Sequence, residues 1–102
     1  MASRANRLTL TAVLSEKQPL RYSPAGVPIL NCRLAHESEQ IEAGAPRTVR
    51  CEIPAMAVGE VAIRLARCEV GREARFDGFL ATRRRYEIAE LHVTQFSETP
   101  AP

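Results

Sequence analysis

Residues Gly71 to Phe96 have the sequence GREARFDGFLATRRRYEIAELHVTQF, which predicts two β-strands joined by a short cationic connection. The first predicted strand covers Glu73 to Thr82, and the second covers Ile88 to Phe96. The connection between them contributes three adjacent arginines and one aromatic ring: Arg83, Arg84, Arg85 and Tyr86. Adjacent guanidiniums repel one another and cannot all be buried, so this hairpin tip indicates contact with a polyanion.

The chain before this hairpin predicts three more strands and one helix. Alternating apolar and polar residues mark the strands, which are Arg7 to Leu14, Val27 to His36 and Arg47 to Ile53. Pro54 is predicted to stop the third strand, and Glu37 to Pro46 is predicted to be a charged loop before it. From Met56 to Cys68 the apolar spacing changes to three and four residues, which predicts a short amphipathic helix.

Five short strands with one helix between the third and fourth predict an all-β OB-fold, a five-stranded Greek-key barrel. Periodicity alone leaves a small α+β sandwich open as the alternative. With 102 residues the chain has the size of one domain. We expect an OB-fold domain at residues 1–97 and a short disordered tail at residues 98–102.

The charge of the chain is nearly balanced, with 14 basic and 12 acidic residues and a formal net charge of +2. Local patches therefore matter more than net charge. Lys17 is the only lysine, so almost every cation is an arginine, whose guanidinium suits phosphate contact, although genomic base composition explains this usage equally well. Acidic residues concentrate between Glu37 and Glu42, which predicts that acidic and basic residues lie in separate regions.

Nothing in the sequence supports catalysis or metal binding. His36 and His92 are the only histidines, and neither has a Cys or carboxylate at metal-ligand spacing. Phosphate-loop and nucleophile motifs are absent from the sequence. We therefore predict no catalytic residues, no metal and no cofactor.

The cysteines and the N-terminus favour a cytoplasmic protein. The cysteines are odd in number and lack C-x-x-C spacing, and Cys32 and Cys51 fall on the apolar parity of their strands, which predicts buried, reduced thiols. Met1 to Asn6 is too short and polar for a signal peptide, and no apolar run approaches the roughly 20 residues of a membrane span. We expect a reducing cytoplasm and no membrane contact.

Basic and aromatic residues from four segments are predicted to converge on one side of the barrel. Arg33 and Arg50 have the outward parity of the second and third strands, the face with which OB-folds bind oligonucleotides. The predicted site for single-stranded DNA comprises Arg21, Tyr22, Arg33, Arg47, Arg50, Arg83, Arg84, Arg85 and Tyr86. The chain has no Trp and only two Tyr, so binding should depend more on charge than on base stacking.

The outward positions of the first and fourth strands predict a homodimer. The uncharged residues at these positions are Thr9, Thr11, Val13 and Phe79. Uncharged outer β surfaces are either tolerated exposure or an interface, and we favour the interface. A two-fold dimer would present two basic faces to one continuous strand.

Parts of the chain resemble the single-stranded DNA-binding protein family. The segment Asn6 to Leu8 together with Pro19 to Gly26 resembles the opening strand and first turn of that family, and Gly71 to Arg83 resembles its fourth strand. A closer resemblance, from Asn6 to about Phe96, is to the primosomal replication protein N (PriB) family. The further segments that carry it are Leu34-Ala35-His36, Glu42-Ala43-Gly44, Arg50-Cys51-Glu52-Ile53-Pro54 and Leu91-His92-Val93-Thr94-Gln95-Phe96.

The resemblance implies a homodimeric, non-catalytic accessory protein of the replication-restart primosome. It implies binding to single-stranded DNA and to the PriA helicase and, in some bacteria, to DnaT and the single-stranded DNA-binding protein. The chain departs from the family pattern in three places: Arg50 replaces a tryptophan, Ala45 replaces a phenylalanine, and a shorter tip carries arginines in place of lysines. Two other functions remain open, a stand-alone single-strand coating protein and an OB-fold protein-interaction module.

Overall fold

The computed structural model describes residues 4–82 and 88–98, which form one barrel with an extended hairpin. The elements are β1 (Leu8–Lys17), β2 (Arg21–Tyr22), β3 (Pro28–Glu42), β4 (Ala45–Val58), α1 (Glu60–Ala66), β5 (Glu73–Ala81) and β6 (Glu90–Glu98). Pairing runs in the order β1-β5-β6-β4-β3, and β1 also pairs with β3, so these five strands close into a ring. The ring confirms the OB-fold and excludes the sandwich. The short β2 pairs with β3 and was not predicted.

Alternate residues of the ring strands fill the barrel interior. The largest fully buried side chains are Leu14, Leu30, Leu34, Leu65, Phe76 and Leu91. Burying each such side chain contributes roughly 1.5–3 kcal/mol, so these residues dominate the stability of the barrel. Leu65 and Ala62 belong to α1, which therefore packs its apolar face against the same core.

Beyond the barrel, β3 and β4 continue as a two-stranded ribbon, here called the arm (residues 36–51). β1 pairs with β3 only as far as Ala35, whereas β3 and β4 stay paired until Glu42 lies opposite Ala45. The predicted charged loop from Glu37 to Pro46 is therefore wrong. A two-residue turn joins the strands, and its residues Ala43 and Gly44 have positive φ angles of 53° and 78°. Turns with two positive φ angles match the right-handed twist of the strands, so the ladder continues to the turn.

The boundaries predicted around Pro54 are also wrong. β4 passes through Pro54 and ends at Val58, which leaves α1 shorter than the predicted helix. Among the described residues, β6 pairs with β4 only from Ala55 onward, so Pro54 precedes this pairing, where a missing N–H is tolerated. At the C-terminus, β6 includes Glu98, the first residue of the predicted tail, and residues 99–102 lie outside the described part of the chain.

Polar side chains fix both ends of β1. The Asn6 side chain donates to the Leu80 carbonyl and accepts from the Leu80 N–H, both at 2.9 Å, which extends the β1–β5 ladder. At the other end, Lys17 Nζ donates to the carbonyls of Ala66 and Cys68 at 2.7 and 2.5 Å. These carbonyls lie at the end of α1, where a cation is favourable, so Lys17 links β1 to the helix.

Cys32 in the barrel and Cys51 in the arm differ in exposure. Cys32 is buried in the barrel, as predicted, and burial together with the Glu90 charge raises its pKa to about 12. Cys51 is exposed, so its predicted burial is wrong. The inward parity of β4 no longer faces a core at this position, because Cys51 lies opposite His36 in the arm.

Candidate nucleic-acid interface

Three arginines follow one outer face of β2, β3 and β4, and are here called the basic strip (Arg21, Arg33 and Arg50). Leu30, Cys32 and Leu34 of β3 are buried, so the odd-numbered residues of β3 face outward. Arg21 lies opposite Ile29, and Arg50 lies opposite Glu37, which places both arginines on the same face as Arg33. The predicted outward orientation of Arg33 and Arg50 is therefore present in the structure.

Each arginine of the basic strip donates a hydrogen bond to an acidic or neutral side chain. Arg33 Nε donates to Glu52 Oε1 at 2.6 Å, and Arg50 Nε donates to Glu37 Oε2. Arg21 Nη2 donates to the Asn31 Oδ1 at 3.1 Å. The predicted separation of acidic and basic residues is therefore wrong.

The predicted separation failed because the arm pairs the acidic end of β3 with the basic start of β4. The partner residues Glu37, Glu52 and Asn31 were not predicted as part of the site. The contact between Glu37 and Arg50 could have been predicted from a hairpin register centred on Ala43-Gly44. Both residues lie at equal distances in sequence from that turn, so the register places them opposite each other. Asn31 left no comparable signal, because its contact depends on the unpredicted strand β2.

Arg47 does not join the basic strip. It lies opposite Gln40, an even-numbered residue of β3, so it occupies the other face of the arm and donates to Glu42 Oε1 at 2.8 Å. Arg47 and Arg50 are three residues apart in a strand whose side chains alternate, which forces them onto opposite faces. The predicted convergence of all site residues on one side is wrong for Arg47.

The remaining predicted site residues come from the first loop and the hairpin tip. Tyr22 lies opposite Pro28, an even-numbered residue of β3, so it is not on the face of the basic strip and the predicted convergence is wrong for it as well, although its side chain is 60% exposed. A groove beside this region is lined by Gln18, Leu20, Arg21, Asn31, Arg33 and Pro54, among others. The groove brings Arg21 and Arg33 together at the barrel end of the strip. Arg83, Arg84, Arg85 and Tyr86 lie outside the described residues.

The predicted dimer residues of β1 share one outer face, but their neighbours on β5 are charged. Thr9, Thr11 and Val13 lie opposite Asp77, Arg75 and Glu73, respectively. Thr9 Oγ1 donates to Asp77 Oδ1 at 2.6 Å. The surface around these uncharged residues is therefore polar.

Phe79, the fourth predicted dimer residue, lies on β5 and is 38% exposed. Its ring stacks on the His92 ring with a centroid distance of 5.0 Å. The histidine therefore covers part of the ring.

Both ring nitrogens of His36 make hydrogen bonds within the fold. Its Nδ1 lies 2.6 Å from the Thr11 carbonyl oxygen, and its Nε2 lies 2.7 Å from the Ser38 hydroxyl. A carbonyl oxygen only accepts, so Nδ1 carries the proton and donates to it. The ring thus bridges β3 to a stretch of β1 that β3 does not pair with.

Within residues 4–82 and 88–98, no group of three or more His, Cys, Asp or Glu side chains could hold a metal ion. The same residues contain no helix that is long and apolar enough to cross a membrane.

Comparison with known sequences identifies the family. A model described as another single-strand binding protein family matches residues 6–95. The replication restart protein PriB of Bordetella pertussis is 43% identical over 91 residues, which cover 88% of this chain and 85% of that protein. PriB of Neisseria gonorrhoeae is 40% identical over 86 residues, which cover 84% of this chain and 85% of that protein.

Solved structures agree with the sequence comparison. PriB from Ralstonia solanacearum matches with a TM-score of 0.85 and 37% identity, covering 93% of this chain and 98% of that chain. The single-stranded DNA binding protein from Thermus aquaticus has the same fold, with a TM-score of 0.76 and 21% identity over 94% of this chain and 50% of that chain. The chain therefore belongs to the PriB family of replication restart proteins.

Proposed function

We propose that this protein is a non-catalytic accessory protein of replication restart, which binds single-stranded DNA and stimulates the PriA helicase on it. The observation that carries the proposal is the 43% identity, over 88% of the chain, to a replication restart protein PriB. The OB-fold and the outward basic strip support DNA binding, because OB-folds bind single strands on this face. A cytoplasmic location follows from a role on chromosomal DNA.

Charge carries most of the proposed binding. Guanidiniums that contact phosphates release condensed counterions, which makes affinity fall steeply with salt. Among the described residues, Tyr22 and Phe79 are the exposed aromatic side chains, and Phe79 is already stacked on His92. Few rings are therefore available to stack on bases, each of which is worth roughly 1–3 kcal/mol.

We also propose a homodimer in which β1 contributes to the interface. Within the described residues, Leu8 to Ala12 pairs with β5 on one edge but with no strand on the other. Open strand edges readily pair with a second chain. A charged residue in place of Thr11 should weaken the dimer, as measured by sedimentation equilibrium at tens of micromolar protein.

Family membership also supports PriA as a partner and, in some bacteria, DnaT and the single-stranded DNA-binding protein. Unwinding of forked DNA by PriA, with and without this protein, tests the helicase part of the proposal. Stimulation that depends on this protein supports it, and unchanged unwinding contradicts it.

The DNA-binding part is tested with labelled oligo-dT by fluorescence polarisation over a series of salt concentrations. We expect Arg83, Arg84 and Arg85 to dominate the affinity, with Arg33 and Arg50 secondary. Replacing the three tip arginines with alanine should reduce the magnitude of the log K versus log salt slope by about two, at roughly 0.7 per phosphate. Folding should change little, because exposed charges contribute little to stability.

Tyr86→Ala is the matched control for this slope. Stacking releases no counterions, so the variant should bind more weakly with an unchanged slope. An unchanged slope in the triple-alanine protein would mean that DNA lies elsewhere and that the tip instead docks the helicase. Absence of any oligo-dT binding at low salt would favour the protein-interaction module.

A further inference from the structure

We propose that Glu37 and Glu52 act as built-in counterions that weaken the binding of single-stranded DNA to the basic strip. The inference rests on the proposed DNA-binding function and deepens it, because it names residues that set the affinity of that site. Both carboxylates belong to the same outer face as the arginines that they hold.

Each carboxylate occupies the Nε–H donor of one arginine, which is one of the donor groups that a phosphate can use. Arg33 donates to Glu52 across the β3–β4 ladder, and Arg50 donates to Glu37 directly opposite. Carboxylate and phosphate oxygens compete for the same guanidinium N–H groups, because both accept charge-assisted hydrogen bonds. A phosphate can therefore reach the full donor set of Arg33 or Arg50 only by displacing a glutamate.

Displacement is open to a DNA strand because both ion pairs are solvent-accessible. The Arg33 and Glu52 side chains are 41% and 48% exposed, and those of Arg50 and Glu37 are 78% and 59% exposed. Exposed ion pairs contribute little to stability, so they break readily. DNA binding at these positions is thus an exchange of one anion for another.

The exchange of a glutamate for a phosphate lowers the binding free energy that each arginine contributes. A displaced glutamate stays on the same face, where its charge repels the incoming phosphate and attracts a cation from solution. Fewer ions are then released in total, which reduces both the affinity and the salt slope. Within the basic strip Arg21 differs from the other two arginines, because its hydrogen-bond partner is the neutral Asn31.

The pair on the other face of the arm provides a contrast. Arg47 and Glu42 form a similar exposed ion pair, with side chains 63% and 65% exposed, away from the basic strip. If such pairs serve only to hold β3 and β4 together, removing Glu37 and Glu52 should weaken the contact between these strands without improving binding. If they attenuate binding, their removal should raise affinity.

The test compares the full chain with its Glu37→Gln/Glu52→Gln double variant in oligo-dT titrations over a salt series. Glutamine keeps the size and a hydrogen-bond acceptor but removes the charge. We expect each substitution to raise affinity by about two- to fivefold at low salt, and the pair by about tenfold. The slope magnitude should rise by about 1.4 if both arginines gain a full phosphate contact, at roughly 0.7 each.

A control with the same change of net charge separates local from overall electrostatics. Glu60→Gln/Glu69→Gln alters two exposed carboxylates in α1 and in the connection to β5, neither of which is the ion-pair partner of Arg33 or Arg50. It should change affinity much less than the Glu37→Gln/Glu52→Gln double variant, here called the strip variant. Adding Arg33→Ala and Arg50→Ala to the strip variant should abolish its gain, because the freed guanidiniums are then absent.

The possible results distinguish this inference from the proposed function. Salt-dependent binding by the unmodified protein, with no gain in the strip variant beyond that of the control, would overturn the inference alone. Failure of every protein to bind oligo-dT at the lowest salt would overturn both. A gain in slope and affinity that is confined to the strip variant supports both.

Discussion

The barrel and the arm share strands β3 and β4 but are stabilised by different interactions. Leu30 and Leu34 of β3 are fully buried in the barrel, whereas Ile41 of the same strand is 72% exposed in the arm. Other ring strands and α1 flank β3 in the barrel, but in the arm, among residues 4–82 and 88–98, β3 pairs with β4 alone. Hydrophobic burial therefore holds the barrel, and a backbone ladder, a turn and exposed ion pairs hold the arm.

The barrel therefore supplies most of the stability, whereas the arm adds an exposed surface and little stability. A two-stranded ribbon with exposed ion pairs is only marginally stable, so it opens far more easily than the barrel. The arm nevertheless presents Arg50, and it continues the face that carries Arg21 and Arg33. Under the proposed DNA-binding function, the barrel therefore positions a weakly held ribbon beside the bound strand.

The largest expected difference between the two regions is in thiol reactivity. Cys51 in the arm is exposed, whereas Cys32 in the barrel is 5% exposed. A thiol-specific reagent at neutral pH should modify Cys51 directly but Cys32 only after unfolding, about a thousandfold more slowly or more. Mass spectrometry of digested time points measures the rate at each cysteine separately, which keeps the partly buried Cys68 apart, and Cys51→Ser should remove the fast labelling assigned to the Cys51 peptide.

The buried Cys32 thiol makes the stability of the protein depend on pH in the alkaline range. Burial raises the Cys32 pKa from 9.0 to about 12 in the folded protein. Between these two values the unfolded chain has lost the proton and the folded chain has kept it, so stability should fall as pH rises through this window. Urea denaturation over a series of pH values measures this loss.

In the labelling experiment, equal rates for Cys32 and Cys51 would contradict the expected difference, because they would mean that Cys32 is as accessible as the exposed Cys51.

The next largest difference is expected for two truncations within β3. Leu34→Ala removes a fully buried side chain and should cost about 2–5 kcal/mol, because a cavity remains in the barrel. Ile41→Ala changes an exposed residue of the arm and should stay within about 0.5 kcal/mol. Urea denaturation followed by circular dichroism measures both. A comparable loss in the two variants would mean that Ile41 packs against another surface in solution.

Sequence patterns predicted the barrel well because each of its strands has one buried face. Leu30 and Leu34 alternate with polar residues, and this period of two requires a core on one side. The same rule gave the outward orientation of Arg33 and Arg50. It failed for Cys51, since parity shows which face a residue is on but not whether that face is covered.

The arm could not be predicted from the same patterns. With both faces exposed, Glu37 to Pro46 has no hydrophobic alternation and resembles a loop in composition. The ion-pair partners of the arginines depend on register, which the turn at Ala43 and Gly44 determines. A pair with Ala at its first position lacks the usual Asn-Gly signal of such a turn, so the register was missed.

The smallest expected effect concerns this turn. Ala43 has a φ of 53°, a left-handed conformation that costs roughly 1–2 kcal/mol for a residue with a Cβ atom, and which asparagine tolerates better. Ala43→Asn should therefore stabilise the arm by about 0.5–1 kcal/mol. Native-state hydrogen exchange should show arm amides slowed by about two- to fivefold, with barrel amides unchanged.

Ala45→Asn is the control for this substitution. It introduces the same side chain two residues later, at the start of β4, where φ is not positive. A general effect of asparagine in the arm would appear in both variants, whereas relief of the turn appears only in the first. Slower exchange in barrel amides as well would contradict separate opening of the two regions, because it would mean that the arm and the barrel open together as one cooperative unit.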